Sequence, residues 1–183
     1  MTAAPDEPFA PEARALLTSA ALGRTTQLYY GGLSRDRYDR ALAHVIAKDE
    51  TGADLWLNGL MARQGAARVR TFPDNARRVR QLYALEDEAR RARRGLWELD
   101  HWRVRTADDL ADAPYFAILE GALLSMNVTT GDGSVRITPR GFVVATGDGL
   151  GATDAALKLE IGKPLRVRGR VDTREGEPAM PIT

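Results

Sequence analysis

The chain has 183 residues, 44% of them apolar, with 26 basic against 25 acidic side chains and a formal net charge of +1. That length allows one large core or two small ones, and the lack of any cysteine excludes disulfides, thiolate metal sites and a thiol nucleophile. The two histidines, His44 and His101, lie far apart and accompany no nucleophile motif, which argues against zinc and against Ser-His-Asp chemistry.

Residues 2–6 have no signal-peptide pattern, and residues 11–22 then place Ala13, Leu16, Leu17, Ala20 and Ala21 at helical spacing, with Pro11 in the first turn and Gly23 as the stop. Residues 25–30 are β-branched and aromatic and predict a strand, Gly31-Gly32 predicts a turn, and residues 41–47 predict a second strand. Residues 34–40 between them form a charged loop. Asn58 is expected to cap a short helix ending at Gly65, and Pro73-Asp74 to open a longer one through Val79, Leu82, Ala89 and Ala92 to Gly95. Leu96 and Trp97 would close it against the core. From Arg63 to Arg105 twelve arginines face six acidic residues, either a phosphate-facing surface or a solvated helix laced with ion pairs.

Residues 100–114 are polar, aperiodic and end in proline, which predicts a linker between a domain at 1–99 and another at 115–183. The second domain is expected to hold strands at 116–128, 135–138, 142–146, 164–171 and 179–182, a turn at Gly131-Asp132-Gly133 and a helix near 154–159. Three strands, a helix and two strands is the order of a small five-stranded OB-like β-barrel. Arg166, Arg168 and Arg170 alternate on one strand and so share a face, which is either a groove for single-stranded nucleic acid or a plain basic surface. The run at 146–151 is a turn, since it lacks the lysine of a phosphate loop and the acidic repeat of a calcium loop. No apolar run reaches the roughly 20 residues that span a bilayer, so no membrane is implied.

The run Asp36-Arg37-Tyr38-Asp39-Arg40-Ala41-Leu42-Ala43, then Leu57-Asn58, then Arg63-Gln64-Gly65-Ala66-Ala67-Arg68-Val69, then Glu86 through Gly95-Leu96-Trp97, resembles the thermonuclease (staphylococcal-nuclease-like) family. The resemblance extends back through the helix beginning near Phe9 and covers residues 3–97. It implies a bacterial-type hydrolase of DNA or RNA phosphodiesters on an α+β, mainly β fold. That fold would be an incomplete OB-type nuclease barrel with three helices, ahead of the OB-like domain. By this resemblance Arg40 contacts the scissile phosphate, a role suited to a guanidinium fork facing two nonbridging oxygens. Arg37 and Tyr38 match positions that hold the nucleotide. Asp39 stands where the family has glycine, and its charge would compete with phosphate for Arg40.

The family's metal-binding aspartates find no match here. Ala3 falls at one of them, and Asp6 falls at the position of the family's glutamate base, one methylene short for in-line water attack. No metal site and no cofactor are therefore expected of the chain as written, although a full-length member would use calcium. With only two barrel strands ahead of the short helix, an open sheet edge is expected, to be covered by a dimer partner or another chain. The expectation is a truncated phosphodiesterase, weakly active or inactive alone. Its rival is a catalytically dead nucleic-acid-binding or scaffold protein. The chain as written is expected to be soluble without a leader, and a longer version to be secreted or periplasmic.

Overall fold

A computed structural model of the chain describes residues 7–36, 38–70, 75–110, 113–114, 116–129, 134–138, 140–147, 160–171 and 179–181. Asp6, Arg37, the 131–133 turn, the 154–159 helix and most of the 146–151 loop lie outside these residues. The chain divides into two compact units, Met1–Asp100 and His101–Thr183.

In the first unit, the helical apolar spacing forms α1 (Ala10–Ala21), and the β-rich segments form β1 (Thr26–Arg35) and β2 (Ala41–Lys48). A short β3 (Asp54–Trp56), which the sequence did not announce, runs directly into α2 (Leu57–Arg63), and α3 (Val79–Arg91) follows. The strands make an antiparallel sheet in the order β1-β2-β3, so the unit is α+β with three α-helices among the described residues. One sheet face packs on the helices, where Ala20, Ala47 and Leu57 are buried with Val45, Leu55 and Leu60 around them. A second cluster joins Met61, Ala66 and Ala67 to Phe9, Ala13 and Leu16 of the α1 region.

Three expectations are corrected. Gly31-Gly32 is not a turn: β1 continues through it to Arg35, with the ladder irregular between Tyr30 and Arg35, and the chain reverses at 36–40. The glycine serves a close approach, because a β-carbon at Gly31 would collide with the Arg77 side chain. Asn58 does not cap α2, whose N-cap is Trp56 without a side-chain bond. Instead the Asn58 amide accepts from the Val45 N–H at 2.8 Å and donates to the Ala43 carbonyl at 3.2 Å. Since β3 pairs only with Ile46, Ala47 and Lys48, the Asn58 side chain continues the ladder where β3 is absent. The third helix starts at Val79, later than Pro73-Asp74 would have it, because Asn75 and Arg77 are tied to β2.

The end of α2 and the end of α3 meet at two glycines. Gly65 (φ 64°) and Gly95 (φ 57°) both take left-handed backbone angles, and a β-carbon on either would strike the backbone of the other segment. Their contact is closed by the Leu96 N–H donating to the Gly65 carbonyl at 2.9 Å. Leu96 and Trp97 are buried, as expected of the residues that follow the helix. Glu86, fully buried on α3, accepts the Val69 N–H at 2.7 Å and pins the helix to the 66–70 segment.

Among the described residues β1 has no second partner. It is the edge of the sheet, and Leu28, Tyr29, Tyr30 and Leu33 are each 44–53% exposed. Leu28 pairs with Val45 and Tyr30 with Ala43, so both share the core-facing side of the sheet yet remain half exposed.

The second unit holds β4 (Phe116–Thr129), β5 (Ser134–Thr138), β6 (Gly141–Gly147), β7 (Pro164–Arg170) and β8 (Ala179–Pro181). They form one sheet in the order β7-β4-β6-β5-β8, with β4 and β6 parallel. Five strands are present, as expected, but β4 lies between β7 and β6 and not beside β5, its neighbour in sequence. The long β4 is shared: its first half pairs antiparallel with β7, and from Leu123 onward it pairs with β6, with a register shift between Leu123 and Ser125. Leu119, Leu123, Ile137, Phe142 and Val144 form the core.

The 100–114 segment is more than a linker. Arg105 forms a bridge to Leu119, its N–H donating to Ile118 and its carbonyl accepting from Glu120. Ala107, Leu110 and Ala113 pack on the second core. The Arg105 side chain is fully buried and its guanidinium reaches Asp109, which also takes Arg103 in two bonds of 2.9 Å. Among the described residues, no helix is long and apolar enough to cross a membrane.

Candidate functional site

The reversal between β1 and β2 is built by one carboxylate. Asp36 Oδ1 accepts the backbone N–H groups of Tyr38 (2.9 Å) and Arg40 (3.0 Å), an Asx-type turn in which a side chain imitates the backbone. The backbone closes around it, with Asp36 N–H donating to the Arg40 carbonyl and Asp39 N–H to the Asp36 carbonyl, both at 3.0 Å. Asp39 takes the left-handed angle that the turn requires, φ 61°, a conformation aspartate tolerates better than most residues.

The second oxygen of Asp36 holds Arg40. Oδ2 accepts from Nε and from Nη2, each at 2.6 Å, so the guanidinium is gripped along its Nε edge. The Arg40 carbon Cζ also lies 5.1 Å from the centre of the Tyr38 ring, within cation–π range. The Asp36 carboxylate is only 14% exposed while Arg40 is 54% exposed, so the acid is inside the turn and the base at its surface. This bond from Arg40 holds the Asp36 carboxyl at about 2, below its ordinary 3.8.

Asp39 does not compete for Arg40. Its carboxylate meets Arg35 at 3.2 Å, and its carbonyl accepts from Arg35 Nη1 at 2.8 Å. The expected conflict beside Arg40 is thus moved one pair away. Asp36 is the acidic partner that sequence reading passed over, although its i,i+4 spacing to Arg40 across a tight loop was available as a signal.

Of the expected site residues, Arg40 and Tyr38 are brought together, while Arg37 and Asp6 lie outside the described residues. Arg166, Arg168 and Arg170 belong to the other unit. Their ladder partners on β4 are Glu120, Ile118 and Phe116, so the three arginines share a face with one acid and two apolar residues. Arg166 is paired with Glu120. In the arginine-rich stretch, Arg63 and Arg94 meet Glu88, and Arg90 meets Asp87, so part of it is an ion-paired helix surface.

A cluster near the sheet was also not foreseen. His44 Nε2 lies 3.0 Å from the Arg77 carbonyl, an arrangement in which the ring donates, and His44 packs edge-on to Trp56. The Arg78 guanidinium lies over the Trp56 ring at 4.3 Å. These contacts lay the 75–78 turn across β2 and β3.

A calcium site needs several oxygen ligands with more than one carboxylate. Among the described residues no three acidic or histidine side chains converge, and Asp36 and Asp39 are both engaged by guanidinium groups. Among the described residues, the donor set at this turn does not fit a calcium ion. The family model for staphylococcal nuclease homologues matches residues 2–99. A search of curated proteins gives no match.

Proposed function

Because this chain belongs to the family of staphylococcal nuclease homologues, we propose that it engages nucleic-acid phosphodiesters through the 36–40 turn and, alone, hydrolyses them weakly or not at all. One observation carries the reading: Arg40 is fixed at its Nε edge by a well-enclosed carboxylate while more than half of its side chain reaches solvent. A guanidinium so held meets a phosphate without first losing the rotamer freedom of a loose arginine. In this reading Arg40 binds the phosphate, Tyr38 and Arg37 flank it and hold the nucleotide, and Asp6 is the candidate base. Arg166, Arg168 and Arg170 form a second basic contact on the other unit.

The weak-or-absent hydrolysis follows from the carboxylates. Water attack on a phosphodiester needs a placed base and a counter-charge for the developing oxyanion; Arg40 supplies the counter-charge, Asp36 and Asp39 are engaged by Arg40 and Arg35, and Asp6 is one methylene shorter than the family's glutamate. The same observation favours a second reading, a catalytically dead nucleic-acid-binding or scaffold protein. Both predict binding of DNA or RNA. They are separated by incubating the purified chain with single-stranded DNA and calcium, with Arg40→Ala alongside. Weak cleavage lost in Arg40→Ala supports the enzyme. Binding that weakens in Arg40→Ala without any cleavage supports the binding protein. Binding and cleavage both indifferent to Arg40 would sink both.

A further inference from the structure

We propose that Asp36 is the positioning residue for Arg40: its carboxylate orients the guanidinium so that the Nη fork meets a phosphate of the bound strand. The inference rests on the phosphodiester reading above and adds a residue to it. A guanidinium offers five N–H donors in one plane. Asp36 Oδ2 takes the Nε–H and one Nη2–H, which turns the opposite end, the Nη1–Nη2 fork, away from the carboxylate. That end has the spacing for two nonbridging phosphate oxygens.

The acid does two things at once. Through Oδ1 it sets the backbone of Tyr38 and Arg40, and through Oδ2 it sets the Arg40 side chain. One carboxylate therefore ties the backbone of the turn to the guanidinium. The exposed Tyr38 ring lies under the same guanidinium, its centre 5.1 Å from Arg40 Cζ, so a nucleotide whose phosphate reaches Arg40 comes close to an aromatic side chain. Asp39 carries its own arginine and leaves the Asp36–Arg40 pair undisturbed.

The alternative is that Asp36 is a competitor, an internal anion occupying the arginine until phosphate displaces it. The two make opposite predictions. Asp36→Asn keeps an oxygen for the Tyr38 and Arg40 N–H groups but loses the charge that grips the guanidinium. We expect it to weaken binding of a fluorescently labelled single-stranded DNA by about threefold to tenfold, the scale of one ordinary hydrogen bond at a solvent-facing turn. In an Arg40→Ala background it should have no further effect, since Asp36 acts through Arg40. Tighter binding in Asp36→Asn makes the acid a competitor and overturns the proposal. An equal loss in the Arg40→Ala background makes its role structural only, which also overturns it. If Arg40→Ala itself binds as well as the unaltered chain, the phosphodiester reading fails first and the positioning role with it.

A measurement on the unaltered chain guards against a misfolded variant. The Arg40 Nε–H resonance in a ¹⁵N-edited spectrum should stay slow to exchange when the labelled DNA is added, because the Asp36 pair persists in the complex. Accelerated exchange on DNA addition would mean that the strand displaces Asp36, the outcome of a competitor.

Discussion

Protonating Asp36 would dismantle the turn around it, and its ionisation sets where in pH that happens. Its carboxyl is lowered from 3.8 to about 2, chiefly by the bond from Arg40. A folded-state pKa below the unfolded one means that the stabilisation is fully present above about pH 4 and is lost as pH falls toward 2. A carboxyl ¹³C titration is expected to give Asp36 a midpoint near 2, with Arg40→Ala returning it toward 3.8. A midpoint that ignores the substitution would remove Arg40 as the cause. Both partners are at a solvent-facing turn, so this pair bears on local geometry more than on global stability.

The elements of the first unit depend on where their ends meet, and Gly65 and Gly95 show this most sharply. Gly65→Ala must place a β-carbon at a left-handed angle and against the Arg94 carbonyl. The substitution is expected to cost about 3 kcal/mol, the sum of backbone strain and overpacking, read from chemical denaturation. A loss under about 1 kcal/mol would show that the two segments separate without consequence. α1, β2 and the body of α3 were legible because each repeats its apolar residues at one period. Leu96 and Trp97 were legible as core because two large apolar residues directly follow the Gly95 stop. The errors fall where side chains replace backbone: Asn58 looks like a cap but completes a ladder, and Gly31-Gly32 looks like a turn but makes room for Arg77. At the site, Arg40 and Tyr38 came from motif resemblance. The Asp36 grip and the diversion of Asp39 to Arg35 depend on which way each side chain leaves a reversing loop, which no periodicity encodes.

Across the whole molecule, two cores of different kinds sit on one chain. The second is a sheet core closed around Leu119, Leu123 and Phe142, each essentially inaccessible. The first leaves its β1 side open, with Leu28 and Tyr30 on the core-facing side yet half exposed. A hydrophobic dye is expected to bind the native chain there. Leu28→Lys should reduce that binding while changing unfolding free energy by less than about 0.5 kcal/mol, as for an exposed position. A loss of several kcal/mol would mean that Leu28 is buried in solution.

The shared strand β4 also sets the order in which the second unit can assemble. Thr138 and Gly141 join β5 to β6 over a short span of chain, so that hairpin closes with little loss of loop entropy. The parallel ladder beginning at Leu123 and Phe142 comes next in chain separation, and the one joining Phe116 to Arg170 spans most of the unit. Long-range pairing is slow to form because chain entropy is lost before contacts repay it. β4 is therefore expected to mature from its C-terminal half toward its N-terminal half, and the Arg105 bridge to Leu119 gives that later half a second partner close in sequence. A strand with two timetables keeps its slower end occupied while β7 is still finding its place.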